Sequence, residues 1–183
     1  MNLIDTISGN TGARSVAELS LNPLFRREYS SLYDAVQNFF VPSDPDHSKM
    51  ERDHHQKEIM RLVGSLCPPP TNRSFWLLGL DVTPAPRAFS PTLEDRSIIH
   101  YPNPAPGNNP IAVGHQYSTL ASLPEKQGVS TPPWVIPLSV RRVPTQQKGT
   151  ETGADQLAAL LDDNQLPFGN GLSVTACDSA YSA

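Results

Sequence analysis

Phe75-Trp76-Leu77-Leu78-Gly79-Leu80 is apolar at every position. A strand with one wet face alternates polar and apolar side chains, so a short unbroken run reads as a central strand buried on both sides. This run ends in Asp81-Val82-Thr83-Pro84. A second run, Gly171-Leu172-Ser173-Val174-Thr175-Ala176-Cys177-Asp178, again closes on an aspartate. Between the two, Ala154, Leu157, Ala158 and Leu161 fall at i, i+3, i+4 and i+7. That spacing predicts an amphipathic helix, opened by the capping-box pattern Thr152–Asp155 and closed by Asp163–Pro167. A helix between two strands is a crossover, which makes the last strand parallel to one already in the sheet. Two further strands are predicted over Ile111–Leu123 and Trp134–Val140, and Pro137 points to an edge or a bulge in the latter. The order after residue 74 is βββαβ, an α/β fold with a mixed sheet.

The residues before it read as helical. Asn22-Pro23 is a capping residue followed by proline at the first helical position, and Phe25, Tyr29, Leu32, Val36 and Phe39 then form one stripe on a helix from about 23 to 40. Val41-Pro42 ends it. Ser48–Glu51 is a second capping-box pattern, with His55, Ile59, Leu62 and Leu66 marking a helix face before Cys67-Pro68-Pro69-Pro70 stops the chain. The division expected is therefore a helical segment over 1–70 and an α/β domain over 75–183. The helical segment fits either a plain bundle or a DNA-end-binding region. Most of the 19 prolines lie between Pro68 and Pro144, and Tyr101–Pro110 is expected to be a long loop.

Composition excludes several classes. A net charge of −4 over 183 residues argues against a generic nucleic-acid coat protein. It does not exclude a DNA enzyme, because metal ions can screen phosphates at a carboxylate site. Cys67 and Cys177 are too far apart for a zinc motif and read as small buried hydrophobes in a reducing compartment. Met1-Asn2-Leu3-Ile4-Asp5 lacks the basic and apolar regions of a signal peptide, and no apolar run approaches ~18 residues. A cytoplasmic protein with no membrane partner is the expectation.

The chemistry rests on Asp81 and Asp178. Functional groups collect at the carboxyl ends of strands in open α/β sheets. On neighbouring parallel strands the two backbones would stand ~4.8 Å apart, and two carboxylates facing one small volume repel unless a cation lies between them. Hard oxygen ligands suit Mg2+ or Mn2+. Aspartate also starts turns after many strands, which is the plain structural alternative.

Three blocks carry a family resemblance. Leu78–Arg87 resembles the first catalytic block of bacterial insertion-sequence DDE transposases, Ile111–Ser118 their following strand, and Ala176-Cys177-Asp178-Ser179-Ala180-Tyr181-Ser182 their second aspartate block. The likeness spans roughly 75–183. It implies a ribonuclease-H-like fold and an acidic triad holding two Mg2+ ions that activate water or a DNA 3′-hydroxyl against a phosphodiester. Asp81 and Asp178 then become the catalytic and metal-binding residues. Arg87, His115 and Tyr181 become secondary candidates for DNA phosphate, each with a structural reading beside it: loop charge, strand histidine, core aromatic. The resemblance implies transposon-end DNA as partner, intact transposase or a second copy as a further one, no small-molecule substrate, and a place in the cytoplasm at the nucleoid. The family's third acid lies beyond the second aspartate. Glu94, Asp95 and Glu151 fall too early for it, so the expectation is a truncated transposase, inactive alone. The other readings are a DNA- or partner-binding regulator without catalysis, and a βββαβ module unrelated to nucleic acid.

Overall fold

In the computed structural model the run around Leu78 is a central strand. β1 (Trp76–Pro86) lies between β3 (Ile111–Ser122), antiparallel to it, and β5 (Ser173–Cys177), parallel to it. β2 (Ser97–His100) and β4 (Ile136–Val143) both pair antiparallel with β3, at its first and second halves respectively. The structure describes residues 5–7, 9–10, 12–13, 15–40, 49–87, 92, 95–100, 111–126, 128 and 132–178, without the side chains of 36–40, 49–52 and 100. The ends predicted at Val41-Pro42 and Ser48, the loop 101–110, Glu94 and Tyr181 lie outside them.

The helices are α1 (Val16–Ser20), α2 (Tyr29–Phe40), α3 (Lys49–Ser65) and α4 (Gly149–Leu161). The chain divides into two units, Met1–His55 and Gln56–Ala183. In the first, the Ser15 hydroxyl accepts from the Glu18 amide at 3.1 Å to cap α1, and Thr6 and Leu32 are buried. In the second, the later turns of α3, predicted with the helical segment, enter the core of the sheet. Met60 and Cys67 join Leu78, Leu80, Leu120, Leu138, Leu160, Leu166 and Phe168 in one apolar cluster.

Four expectations about the elements and their ends change. β1 does not stop at Asp81 but runs on to Pro86, because β3 continues to pair with it after β5 has ended. The amide of Leu123 donates to Leu77 and that of Arg87 to Val113. In an antiparallel ladder such bonded pairs alternate, so odd-numbered β1 residues bond β3 and even-numbered ones face the β5 side. Pro84 and Pro86 thus place their missing N–H where no ladder bond is due. Second, β2 is a short strand just before the expected loop, where no strand was predicted. Third, α2 begins at Tyr29 rather than residue 23, since Asn22 caps only a local turn, its Oδ1 accepting from the Leu24 amide at 2.9 Å. Fourth, α4 begins at Gly149, three residues before Thr152, because Glu151 reaches back to the Lys148 amide at 3.0 Å and forms the capping contact itself. The bulge signalled by Pro137 is present, with the β3–β4 register slipping between Leu120 and Ala121. Cys67 is buried as expected, whereas Cys177 is exposed, because no described strand covers the outer edge of β5.

The two sheet faces differ. α3 and α4 cover the face bearing Leu78 (0% exposed) and Leu80, with Gln156 of α4 donating to the Ser118 carbonyl and the Ser139 hydroxyl beneath it. On the opposite face, Leu77 and Gly79 are only half-buried and Val140 and Val174 are exposed. The run is therefore not buried on both sides among the described residues.

Two carboxylates fasten the periphery. Buried Asp163 takes Arg61 on both oxygens, at 2.8 and 3.3 Å, tying the turn after α4 to α3. Glu125, at the end of β3, accepts from the Thr71 hydroxyl and the amides of Thr71, Asn72 and Arg73, which hold its carboxyl down to about 2. Its folded-state value lies below the ~4.3 of an unfolded glutamate. The stability it contributes is thus present above pH ~4.3 and is lost as pH falls towards 2. In urea titrations, Glu125→Gln is expected to flatten the decline in unfolding midpoint between those pH values. An identical decline in the variant would show that the clamp contributes nothing.

Candidate metal-dependent active site

The β1–β5 register runs from Trp76 opposite Ser173 to Leu80 opposite Cys177. One residue further along each chain are Asp81, still within β1, and Asp178, just past the end of β5. Directly paired residues share a sheet face, and side chains alternate along a strand, so Asp81 belongs to the open face with Gly79 and Ala176, away from the α3–α4 layer. Both aspartates are exposed. The Thr83 hydroxyl donates to Asp81 Oδ2 at 3.1 Å and orients that carboxylate. On the antiparallel side Asp81 pairs with Thr119. The strands part company here, because β5 ends while β1 continues beside β3.

The secondary candidates stand further off. His115 pairs with Ala85, four residues along β1, or ~13 Å from Asp81. It is buried, with its ring edge-on to Tyr117 at 6.2 Å between centroids. Arg87 lies six residues along, ~20 Å from Asp81, and is exposed. Neither is near enough to touch an ion bound between the aspartates. Among the described residues no group of three or more His, Cys, Asp or Glu side chains is placed to hold a metal. Asp81 and Asp178 offer two carboxylates, hard oxygen ligands of the kind Mg2+ and Mn2+ take, but fewer than a full protein shell. The pair thus fits a divalent cation that keeps most of its water.

The same face carries a second charged cluster that strand periodicity does not single out. Arg142 pairs with Tyr117, which pairs with Thr83. Its Nη2 lies 2.9 Å from Asp95 Oδ2, while Asp95 Oδ1 accepts from the Thr145 amide and hydroxyl at 2.9 and 2.5 Å. The Thr145 bonds, followed by the charges of Arg142 and His115, hold the Asp95 carboxyl below its ordinary range. Arg142 is one of two adjacent arginines on a strand, and only the register shows which faces Asp81.

Four strands in the order β4-β3-β1-β5, with only β5 parallel to β1 and reached through α4, form a ribonuclease-H-like sheet. The chain belongs to the DDE superfamily endonucleases, whose family model matches residues 2–183. No curated protein and no solved structure matches it. No helix among the described residues is long and apolar enough to cross a membrane.

Proposed function

We propose that this chain contributes the first two metal ligands, Asp81 and Asp178, to a DDE transposase active site that cuts and joins DNA at the ends of an insertion sequence. The observation that supports this reading is the parallel β1–β5 register, which runs up to Leu80 opposite Cys177, the residues immediately before the two aspartates. The bound ion, Mg2+ or Mn2+, would supply charge for the attacked phosphate and acidity for the attacking water or 3′-hydroxyl. Asp81 and Asp178 would hold it from one side. Thr83 would keep Asp81 aimed at it, and the Pro84 and Pro86 edge of β1, lacking two strand donors, would resist closure of the space by another strand. Residues 1–70 would serve the transposon ends. The exposed Val140 and Val174 face and the β5 edge would favour association with an intact transposase or a second copy.

The test is Mn2+ titration of the purified 183-residue chain, followed by paramagnetic broadening. One saturable site is expected, broadening resonances of residues 79–83 and 175–178 first. Asp81→Asn and Asp178→Asn should each weaken it by at least about tenfold, roughly 1.4 kcal/mol, while Asp155→Asn on exposed α4 should leave it unchanged. Equal affinity in all three variants would refute the assignment.

A further inference from the structure

We propose that Arg142, held in place by Asp95, binds a backbone phosphate of the DNA strand whose reacting phosphate lies at Asp81 and Asp178. This rests on the active-site reading above and extends it to the path of the substrate.

The ladder of pairs Thr83–Tyr117–Arg142 puts Arg142 on the same open face as Asp81. The two are separated by two strands and two residues, about 12 Å between backbone positions. At ~3.4 Å per base step that distance is a few nucleotides of one strand, and an extended arginine shortens it. The Arg142 side chain is 46% exposed, and the ion pair engages one guanidinium nitrogen, leaving most of its five donors for an incoming anion.

The carboxylate behind it is engaged on both oxygens. Asp95 takes a left-handed backbone conformation, φ 51°, and its other carboxylate oxygen is occupied by Thr145. An exposed ion pair contributes little stability, so stability alone is a poor reason to keep an uncommon backbone geometry. Positioning the arginine is a better one. Charge complementarity agrees, since the ion at the aspartates would take one phosphate and Arg142, with Arg87 further along the same face, would take others. Tyr117, half-buried between Thr83 and Arg142, lies on the route between them.

The experiment is fluorescence anisotropy of a labelled DNA duplex with the 183-residue chain, without metal, across a KCl series from about 50 to 200 mM. Arg142→Ala is expected to weaken binding several-fold and to reduce the slope of log affinity against log salt by about 0.9, one phosphate contact. Arg142→Lys should keep the slope and lose part of the affinity, because the bidentate fork is gone. Asp95→Asn should also keep the slope, with an affinity loss smaller than that of Arg142→Ala. If Arg142→Ala does not fold, Arg142→Gln is read in its place. An unchanged slope in the neutral variant overturns the proposal, even where both variants lose equal thermal stability, since Arg142 is then only a structural tie. Absence of measurable DNA binding by the unaltered chain overturns it as well. The active-site reading fails separately: a lowered slope together with no Mn2+ uptake at Asp81 leaves the phosphate contact standing and removes the catalytic role.

Discussion

A polypeptide of residues 1–183 is expected to leave supercoiled DNA uncut in Mg2+ while still taking up one divalent ion. Two-metal phosphoryl chemistry needs both ions fixed, one on the attacking and one on the leaving oxygen. In the proposed site Asp81 and Asp178 are the two ligands, and among the described residues no group of three or more His, Cys, Asp or Glu is placed to hold a metal. Two carboxylates would hold one ion, and no ligand set for a second is found among the described residues. Loss of one preorganised group facing developing charge costs about 10²–10³ in rate. Loss of a metal position should cost at least that much, which places cleavage below detection in a plasmid-nicking assay. Mg2+-dependent nicking by a purified monomer that disappears in Asp178→Asn would overturn this expectation. A third acid of this chain would then have to reach the pair. Nicking only at concentrations where the chain dimerises would assign that acid to a second copy.

Phe168→Ala is expected to destabilise the sheet's unit by about 4 kcal/mol, within the range for emptying a buried aromatic site. Phe168 is 0% exposed, stands edge-on to Trp76 with ring centroids 4.9 Å apart, and shares the core with Leu160 and Leu166. It sits in the 3-10 turn Pro167–Asn170, which returns the chain from α4 to β5. The Ser173 hydroxyl donates to its carbonyl at 2.8 Å, so the same residue fixes where β5 begins. Loosening it should therefore also weaken Mn2+ uptake, since Asp178 reaches Asp81 only through the β5 register. Phe168→Leu, which keeps most of the apolar volume, should cost about half as much or less. A loss below about 1 kcal/mol for the alanine variant, read from urea midpoints, would mean that the turn is not packed on the sheet as described.

Much of this architecture follows from local rules that a sequence carries directly. The apolar run at Leu78, the i, i+3, i+4, i+7 spacing of α4 and the aspartate after each of two apolar runs pointed to a mixed sheet with a parallel crossover and two candidate ligands, because periodicity and topology act over short windows. The boundaries did not follow. Glu151 rather than Thr152 makes the capping contact of α4, and Asn22 spends its side chain on a turn, since capping patterns compete within a few residues and tertiary packing selects among them. The continuation of β1 to Pro86 depended on β3 pairing with it from more than twenty residues away. Only the tertiary structure decided which side chains share the open face with Asp81. Arg142, Tyr117 and Thr83 come from three strands, and a one-residue change of register would turn any of them to the other side of the sheet.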